Sequence, residues 1–468
     1  MASDAALKNR KTADRDMTQG SVWKHIILFS LPLIAGNLVQ QLYNTVDSIV
    51  VGNFVGKEAL AATGAVFPIM FALIGFFSGF AMGAGVVISQ YFGANDDENV
   101  SAAVQTTMAF SFILCALLSV AGVLMADPLL RLMQIPDDVF GQASTYLRIC
   151  FAGLSGTLLY NMTSGIQRAV GDSRHPLYFL IFSAVLNTVL DLVFVISFHM
   201  GIAGAAWATV IGQVIAWGSA VRYLGHFKRV TLKREYFVLS LRRIGRTLTM
   251  GMSNGLTQAA ITLVHVILNR SLIYYGGLSV YGADIPLAAC GVVLKINSLV
   301  IAFMVGMHQG MQPIVGFNYG ARRFDRVKAT YKLVIGCVLT VTILALLIFE
   351  LIPDRVLMVF GRENDLYMEF ATRFMRIFLV MVPLNGVQMI SSNFFSAIGK
   401  PVRGALLALT RQVFFLIPLM LILPLFLGLD GVLFASPTAD LIAFVVVLIF
   451  ITGEFREMTR LENESQKL

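Results

Sequence analysis

The stretch Gly201-Ile-Ala-Gly-Ala-Ala-Trp-Ala-Thr209 occurs a second time, in closely related form, as Gly428-Leu-Asp-Gly-Val-Leu-Phe-Ala-Ser436. The second copy begins 227 residues after the first. Three shorter pairs keep this spacing to within one residue: Tyr91–Ala94 with Asn318–Ala321, Tyr146–Ile149 with Phe374–Ile377, and Ala169–Gly171 with Ala397–Gly399. Four pairs at one offset predict that the chain is a tandem duplication of a unit a little under half its length.

The composition places both copies in a membrane. Hydrophobic residues make up 57% of the chain and charged residues 13%, whereas soluble domains carry roughly a quarter charged residues. Twelve apolar segments reach the length of about 20 residues that a membrane-spanning helix needs. They lie at 25–51, 60–92, 101–125, 141–163, 176–198, 201–224, 247–275, 285–317, 329–351, 368–393, 402–426 and 430–452. We therefore predict an all-α integral membrane protein with two six-helix lobes, related by a pseudo-two-fold axis along the membrane normal.

Basic residues predict the orientation of these helices. They concentrate in the N-terminal arm, in the linker between the halves and after the eighth span, so the positive-inside rule puts both termini and the central linker in the cytoplasm. We predict a cytoplasmic arm at 1–24, a first lobe at 25–224, a basic linker at 225–246, a second lobe at 247–452 and a cytoplasmic tail at 453–468. The net charge of +8 is then explained by the inner leaflet of the membrane, without a nucleic-acid partner.

Motifs of enzymes and ATP-driven pumps are missing from the sequence. It contains no Walker A, HExxH or GxSxG pattern, so we expect no catalytic residues, no cofactor and no ATPase subunit. The 4 cysteines lie within apolar runs without metal-ligand spacing, and we expect them to be packing residues. Small-molecule substrates and the lipid bilayer are the expected partners, and the expected state is a monomer.

Polar groups within three spans of the first half predict a cation site. Asp47 lies deep in the first span, and the fifth span contains Asn187 and Asp191 four residues apart, on one helical face. The sixth span adds Thr209 and Gln213 with the same spacing. Charged groups inside a membrane are costly and usually functional. Carboxylate, amide and hydroxyl oxygens suit Na⁺, and a carboxyl pair also suits H⁺, so the choice between the two ions stays open; no other metal is predicted. In the alternative interpretation, each aspartate only caps a kink or bonds a neighbouring helix.

The duplication provides an internal control for this cation site. The position that matches Asp47 in the second half is His265, and the position that matches Asp191 is Pro418 or Leu419. A packing role should recur in both halves. The absence of acidic counterparts therefore favours an ion-coupling site confined to the first half.

Other intramembrane residues allow more than one interpretation. Lys295 and Asp440 are expected to pair within the second half, in a structural or a substrate-related role. Pro32 predicts a kink in the first span, which is either static or part of a gate. Further polar residues could line a substrate cavity, although contacts between helices explain them equally well. They are Gln41, Tyr43, Asn44, Asn161, Gln258, Gln309, Gln312, Asn385 and Gln388.

Taken together, these motifs resemble the multidrug and toxic compound extrusion (MATE) family, and within it the bacterial MepA-like group. The resemblance covers the chain from Leu31 to Ile451. It rests on Pro32 with Gln40–Gly52, on Gln90–Ala94, on Gln167–Asp172 and on Asn318–Ala321.

The resemblance implies two lobes that form a V around a cavity and alternate between outward- and inward-facing states. It implies export of mostly cationic, amphipathic drugs and dyes by antiport against H⁺ or Na⁺. Relatives with a first-lobe cation site share a pattern that matches Asp47, Asn187, Asp191 and Thr209 here. Other relatives use acids within spans seven and ten, where the polar residues of this sequence are Gln258, His265 and Asn385.

Three other functions remain as alternatives at the level of sequence. The first is an exporter of a lipid-linked or small metabolite substrate within the same superfamily, which a wide basic cavity would favour. The others are a channel, which would transport without saturation or counter-transport, and an intramembrane enzyme, which would need a nucleophile–base pair. The sequence shows no such pair.

Overall fold

A computed structural model describes residues 17–133, 135, 137–224, 240–359 and 365–465, and helices are the regular secondary structure throughout these ranges. The first half contains α1 (Val22–Val50), α2 (Lys57–Gly93), α3 (Asp97–Leu132), α4 (Asp137–Ala152), α5 (Leu154–Ala169), α6 (Arg174–Leu192) and α7 (Gly201–Leu224). The second half contains α8 (Leu241–Gly277), α9 (Asp284–Gly320), α10 (Phe324–Leu351), α11 (Pro353–Met358), α12 (Asp365–Leu379), α13 (Val382–Ala397), α14 (Pro401–Leu409), α15 (Ile417–Leu427) and α16 (Leu429–Ser465). π-helical turns follow α1 (Val51–Val55), α6 (Val193–Ser197) and α14 (Thr410–Leu416).

The predicted membrane spans correspond to these helices. Within the described ranges, 10 helical segments are long and apolar enough to cross a membrane, and α12 with α13 forms one more span, bent by 44°. The fourth predicted span, 141–163, falls on α4 and α5, which are separated at Gly153. The twelve-span prediction is confirmed, with its fourth and tenth spans made of helix pairs.

Helix ends differ from the predicted boundaries at two places. The helix α8 begins at Leu241, within the predicted linker 225–246, and residues 225–239 of that linker lie outside the described part. The helix α16 continues to Ser465, into the predicted tail 453–468. The predicted arm 1–24 is described only from Met17 onward.

The turns between helices repeat the duplication seen in the sequence. Residues with left-handed backbone conformations recur at offsets of 226 to 228: Gly56 (φ 123) with Gly282 (φ 69), Asn95 (φ 56) with Arg322 (φ 57), Gly171 (φ 98) with Gly399 (φ 82), and Gly201 (φ 56) with Gly428 (φ 60). Non-glycine residues rarely adopt this conformation. The two halves therefore share their turn geometry as well as their sequence islands, and each forms one lobe.

Three hydrophobic clusters show how the lobes are joined. Of the larger clusters, one lies within the first lobe and one within the second. The third combines both halves and includes Phe92, Val100, Phe317, Phe324 and Ile398. These residues surround the turns from α2 to α3 and from α9 to α10, at the end of the molecule that we call the closed end. The lobes share a core at the closed end and have separate cores elsewhere.

Close helix contacts reinforce this junction between the lobes. A side chain on Gly83 of α2 would overlap the backbone of Thr247 and Gly251 in α8, and one on Gly310 of α9 would overlap Ser30 of α1. Only glycine permits such close backbone approach. These contacts lie in the halves of α1, α2, α8 and α9 nearer the closed end, so the lobes are sealed there.

Candidate functional site

Three helices of the first lobe converge around the predicted cation site. Gly36 of α1 faces Leu177 and Leu180 of α6, and Gly212 of α7 faces Ser183 and Asn187 of α6. Because these two glycines have no side chains, α6 packs closely against both neighbours. Polar groups on the three helices are thereby directed into one shared space.

Asn187, Asp191 and Thr209 form a hydrogen-bonded group in that space. In the amide orientation that satisfies both ends of Asn187, its nitrogen donates to Asp191 Oδ2 (3.2 Å). Its oxygen then accepts from Thr209 Oγ1 (3.2 Å) and from the Thr209 backbone N–H (3.1 Å). Asp191 is fully buried, and its Oδ1 has no hydrogen-bond partner. One carboxylate oxygen is therefore fixed by protein, and the other is free to bind a cation or a proton.

Asp47 of α1 adds a second carboxylate to this group. It is half-buried, and its Oδ1 is also buried without a partner. Asp47 interacts electrostatically with Asp191, and both act on Tyr43. Two neighbouring carboxylates in a poorly solvated place repel each other unless a proton or a metal cation lies between them.

A small pocket opens beside these residues. It is lined by Tyr43, Leu180, Ser183, Ala184, Asn187, Thr209 and Gln213, and it has room for about one water-sized group. Its polar donors are oxygens and amides, which suit hard cations such as Na⁺. Among the described residues, no three His, Cys, Asp or Glu side chains converge as they would around a transition metal.

Irregular helical turns follow both acidic residues. The π-helical turn Val51–Val55 begins four residues after Asp47, and the turn Val193–Ser197 begins two residues after Asp191. π-helical turns inside helices occur frequently at functional sites. The backbone is thus locally irregular next to each carboxylate.

Three residues of the predicted substrate cavity serve contacts between or within helices. Gln388 is buried and donates to the Leu407 carbonyl (2.8 Å), which joins α13 to α14. Gln312 donates to the Met82 carbonyl (2.8 Å) across the lobe interface. Asn161 donates to the carbonyl of Thr157 in its own helix (3.0 Å).

The other predicted cavity residues are more accessible. Gln41, Tyr43, Gln258 and Gln309 are half-buried, and Asn44 is exposed. The Gln258 Nε2 atom is buried without a partner. These side chains remain candidates for the cleft between the lobes.

The predicted pair of Lys295 and Asp440 is wrong. Asp440 of α16 forms a buried ion pair with Arg411, and in the amide orientation that suits its neighbours the Asn385 oxygen accepts from Arg411 Nε (3.0 Å). Lys295 is exposed. Arg411 lies in the π-helical turn after α14 and only 8% of it is exposed, and the sequence prediction missed it. At the 227-residue offset Asp440 matches Gln213, which lines the first-lobe pocket. The corresponding place in the second lobe is therefore occupied by the Arg411–Asp440 ion pair, whose charges cancel.

The motif residues Gln90 and Tyr91 seal the lobes at the closed end. Arg246 of α8 donates to the Tyr91 hydroxyl (2.7 Å), with its guanidinium 5.1 Å above the ring centre. Gln90 donates to the Ala397 carbonyl of the second lobe (3.1 Å). Both contacts join α2 to the opposite lobe, which explains why this motif carries polar residues.

Pro32 lies inside α1 where that helix meets the second lobe. Its neighbours Ser30 and Ile34 face Gly310 and Gly306 of α9. Proline has no N–H, so the helical hydrogen bond to the carbonyl four residues earlier is missing at this contact.

A family model matches each half of the chain separately. The model, described as MatE, matches residues 32–193 and again 255–422. The chain belongs to the MatE family. Members of this family are transporters, so this MatE protein is a membrane transporter and not an enzyme.

Relatives and solved structures agree with this assignment along nearly the whole chain. The probable multidrug resistance protein YoeA of Bacillus subtilis is 28% identical over 447 residues, covering 93% of this chain and 94% of YoeA. The multidrug export protein MepA of Staphylococcus aureus is 22% identical over 435 residues, covering 92% and 93%. A MATE family transporter solved in an outward-facing conformation is similar in fold, with a TM-score of 0.89 and 24% identity over 96% of this chain and 99% of that one.

Proposed function

We propose that this MatE protein is a secondary antiporter that exports amphipathic, mostly cationic drugs and dyes in exchange for H⁺ or Na⁺. The observation that carries the proposal is the first-lobe site, where Asp47 and Asp191 each direct an unpaired carboxylate oxygen into a buried space. Drug export is supported by the names of the relatives YoeA and MepA. The coupling ion is the one requirement beyond the polypeptide; no cofactor and no ATPase subunit are proposed, and the protein is proposed to act as a monomer.

Basic residues support an orientation with the closed end in the cytoplasm. Arg246, Arg322, Arg323, Lys400 and Arg403 all lie in or beside the turns at that end, as the positive-inside rule requires of cytoplasmic segments. Both termini are then cytoplasmic in a bacterial plasma membrane. With its closed end inside, the conformation described here is outward-facing.

In this orientation the coupling cation reaches the site from outside. It binds between Asp47 and Asp191, with Asn187 and Thr209 holding the Asp191 carboxylate in place. A ligand shifts a conformational equilibrium only by its difference in affinity for the two states, so the cation must bind the drug-releasing state more tightly than the alternative. One charge moved through about 100 mV yields roughly 2.3 kcal/mol, which supports about a 50-fold drug gradient.

The first helix provides a physical link between the cation and the lobe interface. Asp47 lies 15 residues beyond Pro32 in α1, or about 22 Å along the axis. The segment around Pro32 contacts the second lobe through Ser30 and Ile34. We propose that cation binding changes how α1 packs, and that the Pro32 segment transmits this change to the closed end.

Reconstituted protein tests the proposal. Ethidium efflux from liposomes is followed under a pH gradient or a Na⁺ gradient for the wild type, Asp47→Asn and Asp191→Asn. We expect one gradient to drive efflux in the wild type and both variants to lose it. The matched control is Asp127→Asn in the same lobe, because Asp127 is partly exposed and paired with Arg148. Full gradient-driven efflux by Asp47→Asn and Asp191→Asn would contradict the site.

The second candidate function is export of a lipid-linked or small anionic metabolite. One observation favours it: Arg168 of the first lobe is half-buried, donates to Ser164 Oγ (2.7 Å), and forms no ion pair with an acidic residue in the described part of the chain. If neither ion gradient moves ethidium while an anionic amphiphile is transported, this second function replaces the first.

A further inference from the structure

Lys295 of α9 is an exposed cation within a membrane-spanning helix. It lies 11 residues after Asp284, where α9 begins, or about 16 Å along the axis. Ser298 donates to the Lys295 backbone carbonyl (2.6 Å), whereas within the described ranges no hydrogen bond or ion pair reaches the Lys295 ammonium group. Charged side chains at such a depth are costly in lipid and usually face a water-filled cavity or the bundle interior.

Contacts with the first lobe identify the side of α9 on which Lys295 lies. A side chain on Gly306 would overlap Ile34 of α1, and Asn37 of α1 donates to the Ala302 carbonyl (3.5 Å). Lys295 lies 11 residues before Gly306, which is close to three full helical turns. It is therefore on the side of α9 that faces the first lobe.

The opposite side of α9 packs against the second lobe. Four of its residues are at most 5% exposed and belong to the hydrophobic cluster of that lobe, namely Ala289, Cys290, Val293 and Ile296. With 3.6 residues per turn, their side chains lie about 100–160° around the helix from Lys295. Lys295 therefore points away from the core of its own lobe.

The two lobes have separated at the level of Lys295. The first lobe meets α9 closely at Gly306 and Gly310, but one turn beyond Lys295 a side chain on Gly291 would meet nothing within 4 Å. Within the described part of the chain, this side of α9 is thus covered near the closed end and open at Lys295. The ammonium group lies in the cleft between the lobes, which opens to the outside in the orientation proposed above.

Leu299 adds an apolar surface to the same side of α9. It lies one turn deeper than Lys295 and is 49% exposed. Asp284, the acidic residue of α9, lies three turns nearer the open end, about 16 Å away along the axis, and leaves the charge of Lys295 without compensation. The wall of the cleft therefore presents an unpaired cation above an apolar patch.

We propose that Lys295 binds the carboxylate or phosphate group of an amphiphile in this cleft, while Leu299 contacts its apolar part. The inference rests on the proposed export function, and it adds zwitterionic and anionic amphiphiles to the cationic substrates proposed above. An ammonium group binds such an anion through a charge-assisted hydrogen bond. The same charge repels a purely cationic substrate, so Lys295 acts as a specificity residue.

Aqueous accessibility tests the position of Lys295. Lys295→Cys in a cysteine-free background is exposed to an impermeant maleimide added from outside. The control is Leu344→Cys on α10, because Leu344 lies among exposed apolar side chains, Ile343 and Leu347, which face lipid. We expect labelling of Lys295→Cys and none of Leu344→Cys. A folded Lys295→Cys variant that stays unlabelled would put this side of α9 in lipid and overturn the inference.

Two rhodamine dyes that differ in one group test the chemistry of the site. Rhodamine 110 carries a free carboxylate, and rhodamine 123 is its methyl ester. Equilibrium binding of each dye to the protein in phosphatidylcholine nanodiscs is measured by fluorescence anisotropy. We expect Lys295→Gln to weaken rhodamine 110 binding about five- to tenfold, between the losses expected for an exposed ion pair and for a buried hydrogen bond to a charged group. Rhodamine 123 should bind this variant as tightly as the wild type or more tightly.

Matched variants separate anion binding from structural effects. Lys295→Arg keeps the charge and should keep rhodamine 110 affinity within about twofold. Lys332→Gln removes an exposed lysine of α10 and should leave the binding of both dyes unchanged.

Phosphatidylglycerol added to the nanodiscs identifies the source of the anion. If it displaces rhodamine 110 from the wild type but not from Lys295→Gln, a lipid phosphate uses the site. If rhodamine 110 stays bound, the site belongs to a soluble amphiphile. Both results support an anion site at Lys295.

Three binding results would overturn the inference. They are no rhodamine 110 binding by the wild type, equal loss of both dyes in Lys295→Gln, and full rhodamine 110 affinity in that variant. Each leaves the proposed antiport intact, because ethidium efflux driven by an ion gradient is measured independently and does not require an anionic group.

Discussion

Removing the charge of Asp440 would leave the Arg411 guanidinium in the second lobe without its counter-ion. The two residues are 3% and 8% exposed, and breaking such a buried pair costs about 3–5 kcal/mol. Unfolding entropy scales with chain length, so for a chain of 468 residues this loss lowers the melting temperature by about 3–5 °C. Arg411→Gln should have a similar effect. The double variant should lose less unfolding free energy than the two single variants lose in sum, and the difference should be about 1–3 kcal/mol.

The cysteines of the protein provide the assay. Cys115, Cys150 and Cys290 are free and buried, so a thiol-reactive fluorescent dye reports their exposure as detergent-solubilised protein is heated. The control is Asp430→Asn on the same helix, whose partly exposed pair with Arg373 should contribute at most about 1 kcal/mol. A melting temperature of Asp440→Asn within about 1 °C of the wild type, or strictly additive losses in the double variant, would refute the assignment of a structural ion pair.

The remaining predictions concern the closed end. Gly83→Val should force α2 away from α8 and favour the inward-facing state. In a cysteine-free background that carries Ser89→Cys, Gly83→Val should therefore increase labelling of that cysteine by an impermeant maleimide added from the cytoplasmic side. The control Gly64→Val, with open space around Gly64, should leave the labelling unchanged. Unchanged labelling in the Gly83→Val variant would contradict the role of close glycine contacts in sealing the lobes. Burial lowers the pKa of Lys400, but its hydrogen bonds to Glu454 and a neighbouring glutamate outweigh this and raise the pKa above its usual 10.5. A raised pKa stabilises the fold below the unfolded-state pKa and ceases to do so as pH rises through the folded-state pKa. The melting-temperature difference between wild type and Lys400→Met should therefore stay constant from about pH 6 to about pH 9, and a difference that disappears within that range would contradict the pairing.

The duplication, the spans and the cluster of polar residues in the first lobe were predictable because they depend on local properties. Apolar length identifies a membrane helix without knowledge of its neighbours. The spacing of Asn187 and Asp191 puts both on one helical face whatever the tertiary structure. The structure brings these residues together with Thr209 and beside Asp47, while their role in coupling stays a prediction.

The pairing in the second lobe was not predictable because it depends on how each helix is rotated. Lys295 and Arg411 are both cations inside apolar segments, and the sequence does not show which of them faces α16. The π-helical turn at Thr410–Leu416 shifts the rotation of the residues within it, including Arg411.

The central claim is that the first-lobe acids couple ion entry to drug exit, and drug-driven ion movement tests it most directly. Proteoliposomes carry an imposed ethidium gradient, and H⁺ movement (by an internal pH dye) and ²²Na⁺ movement are recorded without any imposed ion gradient. Coupling between two sites is reciprocal, so the account predicts that ethidium leaving one side drives H⁺ or Na⁺ the opposite way in the wild type and drives neither in Asp191→Asn. Ethidium movement by the wild type without ion movement, or undiminished ion movement in Asp191→Asn, would contradict it.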